Sequence, residues 1–329
     1  MGRKRKPEDT WMPDRVYRHP RGFIWRPAGT NKTILVAKLD AGKAEVWRRF
    51  ELARADYEES DTVASLVAAY FESAEFASKA PRTRSDRVKE SVWLLKVFGQ
   101  MQPDTVEPAH IRRYMDKRGV KSRTQANHEH ACLSAIYSWG YERGLVSKNP
   151  CKGVKKFTAA ARDRYITDSE YRAIYDNSPP YLQVAMEIAY LCAARVGDIL
   201  AMRWNQVLEE GVFIQQRKTS KKQIKAWTPR LRRAFEQART LSQPGCVSTF
   251  VVCRSDGSAV GHRTLNYHWA EARAAAGVAG CTFHDLKAKG ISDYAGTAAE
   301  KQLFSGHKTL GQVAVYDRKT QITPTLDVE

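Results

Sequence analysis

The sequence predicts a mainly helical chain with small β-sheets (α+β), divided into several domains. Three observations carry that expectation. The chain has 329 residues, more than one domain usually holds, and 43% of them are apolar, enough to fill ordinary cores. From about Thr62 onward apolar residues recur mostly at helical spacing. Strand-like runs of aromatic and β-branched residues are confined to 16–36 and to one polar-tipped hairpin between Val212 and Trp227. The expected boundaries are 1–60 for a small N-terminal module, 61–157 for a helical domain and 158–329 for a second large unit.

The elements follow in chain order. Residues 1–6 form a basic run, either a tail or a segment read by DNA or a localisation receptor. Gly22–Trp25 and Thr33–Val36 read as short strands among Pro20, Gly22, Pro27 and Gly29, and 41–58 as a helix. In the helical domain Val63, Leu66, Val67 and Tyr70 share one face. So do Val88, Val92, Leu95 and Phe98, then Ile111, Tyr114 and Met115. A longer helix runs through Ala131, Leu133, Ile136, Tyr137 and Trp139, and Gly144 with Asn149-Pro150 closes the segment. Arg112, Arg113, Lys117, Arg118, Lys121 and Arg123 are expected on exposed faces, solvated or against DNA.

Residues 158–165 read as a linker. Thr167, three before Glu170, resembles a capping box opening a helix. Tyr181–Leu191 is an apolar helix, followed by a tight turn and a second helix in 193–200. Val212–Gln215 and Gln223–Trp227 are the hairpin strands, with a polar turn at 217–222. Further helices are expected near 230–240, 262–276, 285–295 and 298–304, with one ending near Tyr316.

Charge narrows the function. Lys and Arg number 54 against 36 Asp and Glu, a net +18. The excess is spread: +5 over 1–60, +7 over 61–160 and +6 over 161–329. That argues against a small-metabolite enzyme and for a polyanion touched along the whole chain, nucleic acid first. A merely basic soluble protein is the bland alternative. Six cysteines, with no C-x-x-C pair and no zinc spacing, read as reduced thiols in a cytosolic compartment. No metal and no cofactor are expected. No apolar run approaches the roughly 18–20 residues of a membrane span, and no signal peptide is expected.

Several polar residues lie where packing alone would not put them. Arg195 follows an apolar helix, Lys218 sits near the hairpin tip, and His284 and Lys287 are three apart on an expected helix. His307 follows Gly306, and Tyr316 comes nine residues later. Each has a plain explanation: Arg195 pairing with Asp198, Lys218 an exposed lysine, His284 a helix-end residue, His307 a cap, Tyr316 a core tyrosine. Their order and spacing together carry more.

That order resembles the tyrosine recombinase family, of phage-integrase type. Ala193-Ala-Arg195-Val-Gly-Asp198-Ile resembles its Gly-x-Arg-x-x-Glu-Leu box, and Lys218-Thr-Ser-Lys its hairpin lysine. His284-Asp-Leu-Lys287 resembles the His-x-x-Arg box, and Leu303-Phe-Ser-Gly-His307-Lys the Leu-Gly-His box. Tyr316 falls at the nucleophile's place. The resemblance implies a catalytic set of Tyr316 (nucleophile), Arg195, Lys218, His284, Lys287 and His307. It implies DNA cleavage through a 3′-phosphotyrosyl link without metal, and rejoining without ATP. It makes 1–60 an arm-site module, 61–157 the core-site domain and 158–329 the catalytic domain, closing on DNA as a clamp. Implied partners are double-stranded attachment sites, a homotetramer on synapsed DNA, a host DNA-bending protein and an excisionase, in a bacterial cytoplasm. Ile322 and Leu326 are expected anchors on a neighbouring protomer.

The expected function is therefore an integrase inserting a phage or other mobile element into a chromosome. Alternatives are a chromosome- or plasmid-resolving recombinase, a DNA-binding regulator with little cleavage, and a type IB topoisomerase. One departure stands out: Lys287 where the family usually has arginine. Either lysine serves with some loss of rate, or Lys289 or another cation shares the task, or the protein binds sites and cuts poorly. The first is favoured because the other catalytic positions are intact. Cys192-Ala193 in place of Thr-Gly and Asp198 in place of glutamate are smaller departures.

Overall fold

The computed structural model describes residues 6–28, 33–60, 62–158 and 162–320. Residues 1–5 of the basic run, part of the expected linker, and Ile322 and Leu326 lie outside these. The chain separates into two compact units, Met1–Ala160 and Ala161–Glu329. Among the described residues no helix is long and apolar enough to cross a membrane.

The first unit opens with an antiparallel sheet of β1 (Val16–His19), β2 (Gly22–Trp25) and β3 (Ile34–Ala37), with β2 in the middle. Gly22 lets the chain turn tightly into β2: its φ is +134°, and a Cβ there would meet the Ala37 carbonyl oxygen at 2.2 Å. Helix α1 (Lys43–Ser60) packs against this sheet. Trp25 meets Phe50 and Tyr57 edge-on at centroid distances of 5.4 and 5.3 Å, closing a small core with Val16, Phe23, Val36 and Val46.

A separate core is built by α2 (Val63–Glu72), α3 (Ala74–Ala77), α4 (Pro81–Phe98), α5 (Pro108–Lys121) and α6 (Arg123–Glu142). The expected faces of α2, α5 and α6 are the buried ones, apart from half-buried Ala131. On α4 the expectation holds at Phe98 and half-buried Leu95 but fails at Val88 and Val92. Val88 and Val92 are exposed, whereas Ser91, Leu94 and Phe98 point inward. This helix carries apolar residues nearly all round, so periodicity could not choose its face. Arg118 is also not a solvated cation. It grips fully buried Glu129 through two hydrogen bonds (2.8 and 2.5 Å), and the Tyr114 hydroxyl donates to the same carboxylate at 2.6 Å.

The second unit is organised around α8 (Pro180–Cys192), which follows α7 (Asp168–Asp176). The α7 start has the expected capping box, with reciprocal Thr167 and Glu170 bonds. Helix α8 begins with Pro180 in its first turn and buries Leu182 and every residue from Val184 to Ala189. Around it lie α9 (Val196–Leu200), the hairpin β4 (Gly211–Gln215) and β5 (Lys222–Ala226), α10 (Pro229–Arg239), α11 (His262–Ala275) and α12 (Asp285–Asp293). Helices α13 (Ala298–Ser305) and α14 (Leu310–Tyr316) complete the unit.

The α8–α12 crossing sets the positions used below. Helix α8 ends at the turn leading to Arg195, and α12 begins at His284. They approach so closely at Gly290 that an added Cβ would stand 2.1 Å from the Tyr190 carbonyl oxygen. A methyl group must therefore push the helices apart. Gly290→Ala should lower stability by about 1–3 kcal/mol, the usual range for overpacking. This would read as a fall in urea midpoint at constant slope; an unchanged midpoint would remove the crossing as a packing constraint.

Candidate active site

Helix α8 stops because Ala193 takes a left-handed conformation, φ +49°, an uncommon state for a residue with a Cβ. The turn releases the chain so that Arg195 becomes the N-cap residue of α9. The Arg195 guanidinium donates from Nη1 to Oε1 of buried Gln216 at 2.5 Å, and the Thr219 hydroxyl donates to the same oxygen at 2.8 Å. Gln216 in turn donates from Nε2 to the Ser305 carbonyl at 3.0 Å. One side chain thus ties the hairpin loop, Arg195 and the end of α13 together. Asp198 does not pair with Arg195. It accepts from the Arg217 backbone N–H at 3.0 Å and so fastens the hairpin loop to α9.

The hairpin also rests on α13. Gln223 donates to the Leu303 carbonyl at 2.6 Å, and the Lys225 ammonium donates to the Phe304 carbonyl. Gly306 then turns the chain with φ +66°; a Cβ there would come within 2.5 Å of the Gln223 amide and 2.6 Å of the Gln216 amide. A residue with a Cβ would be strained at this φ and would have to displace both amides.

These devices bring Arg195, Lys218, His284, His307 and Tyr316 around one cavity of about 380 Å³, with Thr219, Lys308, Gln312 and Val315. The five come from separate stretches of chain, and the cavity is the reason their order in sequence matters. His284 Nε2 lies 3.0 Å from the Tyr316 hydroxyl. The His307 ring is inclined over the Tyr316 ring at 4.7 Å. His307 Nδ1 is 3.0 Å from the Ser305 hydroxyl, and its Nε2 is buried with no partner among the described residues. The Tyr316 ring itself is half-buried against Ala193, Ile291 and Val313. Lys218 is exposed, on the loop between β4 and β5, as the sequence suggests.

Lys287 differs from expectation. It does not line the cavity but lies behind it, 1% exposed. Its ammonium donates to the Ala193 carbonyl at 2.5 Å and the Ser305 carbonyl at 3.4 Å, and sits 5.9 Å from the centre of the Tyr316 ring. Burial, then the charges of Arg195 and Lys225, push it down to about 7. Lys289 is not a substitute for the missing arginine. It is buried elsewhere in the unit, paired with Asp168 at 2.5 Å and Asp293 at 2.9 Å.

The histidines feel the same crowding. Burial, followed by the Lys287 and Arg195 charges, pushes His307 down to about 4. Desolvation and then Lys287 hold His284 below the ordinary histidine range. Both rings are therefore neutral near pH 7. A neutral imidazole can donate from one nitrogen and accept at the other, so His284 can take a proton from the Tyr316 hydroxyl. Gln216, Thr219 and Ser305 were not expected from sequence. Gln216 adjoins the Arg217-Lys218 pair, but nothing in its spacing marks it as the residue that holds Arg195.

Residues 164–321 match the model of the phage integrase family. The integrase of Escherichia phage HK022 is 27% identical over 200 residues, covering 56% of this chain and 55% of that protein. The integrase of Enterobacteria phage 434 is 30% identical over 93 residues, covering 27% of this chain and 26% of that one. The chain thus spans about half the length, or less, of these curated relatives. In fold it is similar to a lambda integrase dimer bound to a COC′ core site (TM-score 0.72, 17% identity, 99% of this chain and 100% of that one). It is also similar to the Tn1549 transposon integrase in complex with circular intermediate DNA (TM-score 0.64, 11% identity, 79% and 96%).

The buried ammonium has a consequence for stability. Lys287 titrates near 7 in the folded chain, against about 10.4 for a free lysine. Between those values the unfolded chain binds more protons, so this residue makes stability rise with pH; below pH 7 its penalty is complete and constant. Lys287→Met should abolish that rise. The stability of the parent relative to the variant should climb between pH 7 and 10 by up to about 1.4 kcal/mol per pH unit. Parallel urea-stability curves across that range would contradict the burial of a titrating amine.

Proposed function

We propose that this chain, whose residues 164–321 match the phage integrase family, is a tyrosine recombinase: a site-specific DNA recombinase that integrates a phage or other mobile element. The observation that carries this reading is the Tyr316 hydroxyl, 3.0 Å from a neutral histidine at the wall of a cavity bearing Arg195 and Lys218. Such a cavity suits a phosphate whose reaction partner is the phenol itself.

In the proposed reaction, Tyr316 Oη attacks a backbone phosphorus while its proton passes to His284. The P–O5′ bond breaks, and the departing 5′-oxygen takes a proton from Lys218. A 3′-phosphotyrosyl bond and a free 5′-hydroxyl remain. Attack by a 5′-hydroxyl of a second strand reverses these steps, with no net loss of a phosphodiester. Arg195 supplies two donors in one plane to the non-bridging oxygens, where charge gathers in the transition state. His307 Nε2, buried and without a partner among the described residues, supplies another hydrogen bond to that oxyanion. Lys287 contributes charge from behind, through the Ala193 turn.

The spread of positive charge supports assigning 1–60 to arm-type sites, 61–157 to core-type sites and 158–329 to cleavage. Partners on this reading are double-stranded attachment sites, further copies of the chain in a tetramer on synapsed DNA, and accessory bending and excision proteins.

A nicked attachment-site duplex tests the core claim. The short strand carrying the new 5′-hydroxyl diffuses away after cleavage, trapping the protein as a denaturant-resistant adduct. The parent should form it and Tyr316→Phe should not. An adduct with neither, despite tight DNA binding, would favour the regulator. Relaxation of supercoils on arbitrary DNA would favour a topoisomerase.

The lysine at 287 gives the rate a pH signature. At subsaturating DNA, adduct formation reports the free protein, so it should decline above about pH 7 as Lys287 loses its proton. Lys287→Arg should keep or raise cleavage and remove that decline, because a guanidinium stays charged. A large fall in the Arg variant at every pH would mean the pocket is built specifically around lysine.

A further inference from the structure

The segment immediately after Tyr316 is tied down more firmly than a chain leaving a seven-residue helix needs to be. Helix α14 ends at Tyr316, so its last carbonyls have no partner within the helix. The Tyr316 carbonyl is taken by the Ser292 hydroxyl at 3.0 Å, and the same oxygen of Ser292 accepts the Arg318 N–H at 2.7 Å. The Arg318 side chain then turns inward. Its Nη1 donates to Asp285 Oδ1 at 2.6 Å and to the Arg164 carbonyl at 3.2 Å, and its Nε to the Val315 carbonyl at 3.2 Å. Asp317 is held from a third side by the Lys301 ammonium at 2.7 Å.

The place of these anchors matters more than their number. Asp285 directly follows His284, and Ser292 lies two turns further along α12, so the helix that presents His284 also grips the backbone of Tyr316. The side chains of Arg318 and Asp285 are 7% and 2% exposed, and the second carboxylate oxygen of Asp285 is saturated by the Thr282 N–H and hydroxyl at 2.7 and 2.8 Å. That carboxylate cannot swing away without losing bonds on both sides. The guanidinium also lies 5.9 Å from the centre of the Tyr316 ring. The phenol therefore has few ways to leave the pocket of its own chain while these contacts hold.

We propose that Arg318, with Asp285 and Ser292, is a latch that fixes Tyr316 beside the His284 and Arg195 of its own chain, and that these three are positioning residues for the phenol. The proposal rests on the reading of Tyr316 as the nucleophile, but the latch itself can be measured apart from it. Hydrogen exchange of the full chain without DNA tests the restraint, and adduct formation at saturating nicked DNA tests its use.

Arg318→Ala should speed exchange over 313–320 at least tenfold while leaving α8 and α10 unchanged. It should slow adduct formation by ten- to a hundredfold with DNA affinity altered less than threefold. Arg318→Lys, which keeps one bond to Asp285, should fall between. Should Arg318→Ala fail to fold, Ser292→Ala removes a single hydroxyl and should shift both readouts in the same direction by about threefold or more. Unchanged exchange over 313–320 would overturn the latch; faster exchange with an unchanged rate would overturn its positioning role. If the parent forms no adduct at all, the recombinase reading fails while the exchange result still decides the restraint.

Discussion

The site depends on cations held close together with too little negative charge to neutralise them. Burial lowers both lysines, Lys287 to about 7 and Lys225 to about 8, and at Lys287 the charges of Arg195 and Lys225 add to it. Asp198, the carboxylate that opposes this at Lys287, spends one oxygen on the Arg217 backbone. Like charges at short range in a dry setting repel more strongly than on a surface. The folded protein tolerates this by giving each head group a neutral acceptor: a glutamine oxygen for Arg195 and main-chain carbonyls for Lys287 and Lys225. Such acceptors satisfy donors without cancelling charge. A bound phosphate would supply the missing negative charge, so the arrangement that costs stability in the free chain is the one that favours an anionic transition state.

Holding that arrangement requires packing that cannot relax. Helices α8 and α12 carry the two halves of the cavity wall, Arg195 beyond the end of one and His284 at the start of the other. Gly290 lets their backbones nearly touch. Gln216 and Gln223 then fasten the hairpin to the end of α13, and Gly306 sits in the space between them. The hairpin loop carrying Lys218 is thereby anchored at its base, while Lys218 itself stays in solvent. On the proposed reading of Lys218 as proton donor, this division would serve it: fixed direction at the base and freedom at the tip.

Much of this was legible from residue patterns, for identifiable reasons. The Thr167–Glu170 capping box is a local signal with a local cause, and it forms as read. The strands around 22–25 and 212–227 announced themselves by alternation and turn residues. Five of the six singled-out side chains meet at one cavity because their spacing reflects element lengths that the chain must respect. What could not be read is orientation. Periodicity turns Val88 and Val92 inward, yet both are exposed, because α4 is apolar on more than one side. Arg118 reads as an exposed cation, yet it is the partner of fully buried Glu129, eleven residues along the chain; Lys289 reads as a candidate to share the task at 287, yet it is buried and paired with exposed Asp168 and with Asp293. Gln216 and Arg318 belong to no pattern at all; their importance lies in which carbonyl and which carboxylate the fold happens to bring near.

Lysine at 287 is best understood through the geometry of its neighbours. The Ala193 turn presents a carbonyl toward the interior, and a single ammonium reaches it and the Ser305 carbonyl together. Both carbonyls belong to segments that end helices and lead directly to site residues, Ala193 toward Arg195 and Ser305 toward His307. Lysine is a compact point charge with three donors, suited to bridging two carbonyls from the rear. A guanidinium is wider and reaches forward, suited to gripping two phosphate oxygens. The substitution therefore moves a cation from the face of the site to its frame. On the proposed reading, Arg195 is left as the planar donor at the cavity, and the contacts that hold Tyr316 from behind, where α12 and Arg318 meet, would align the phenol.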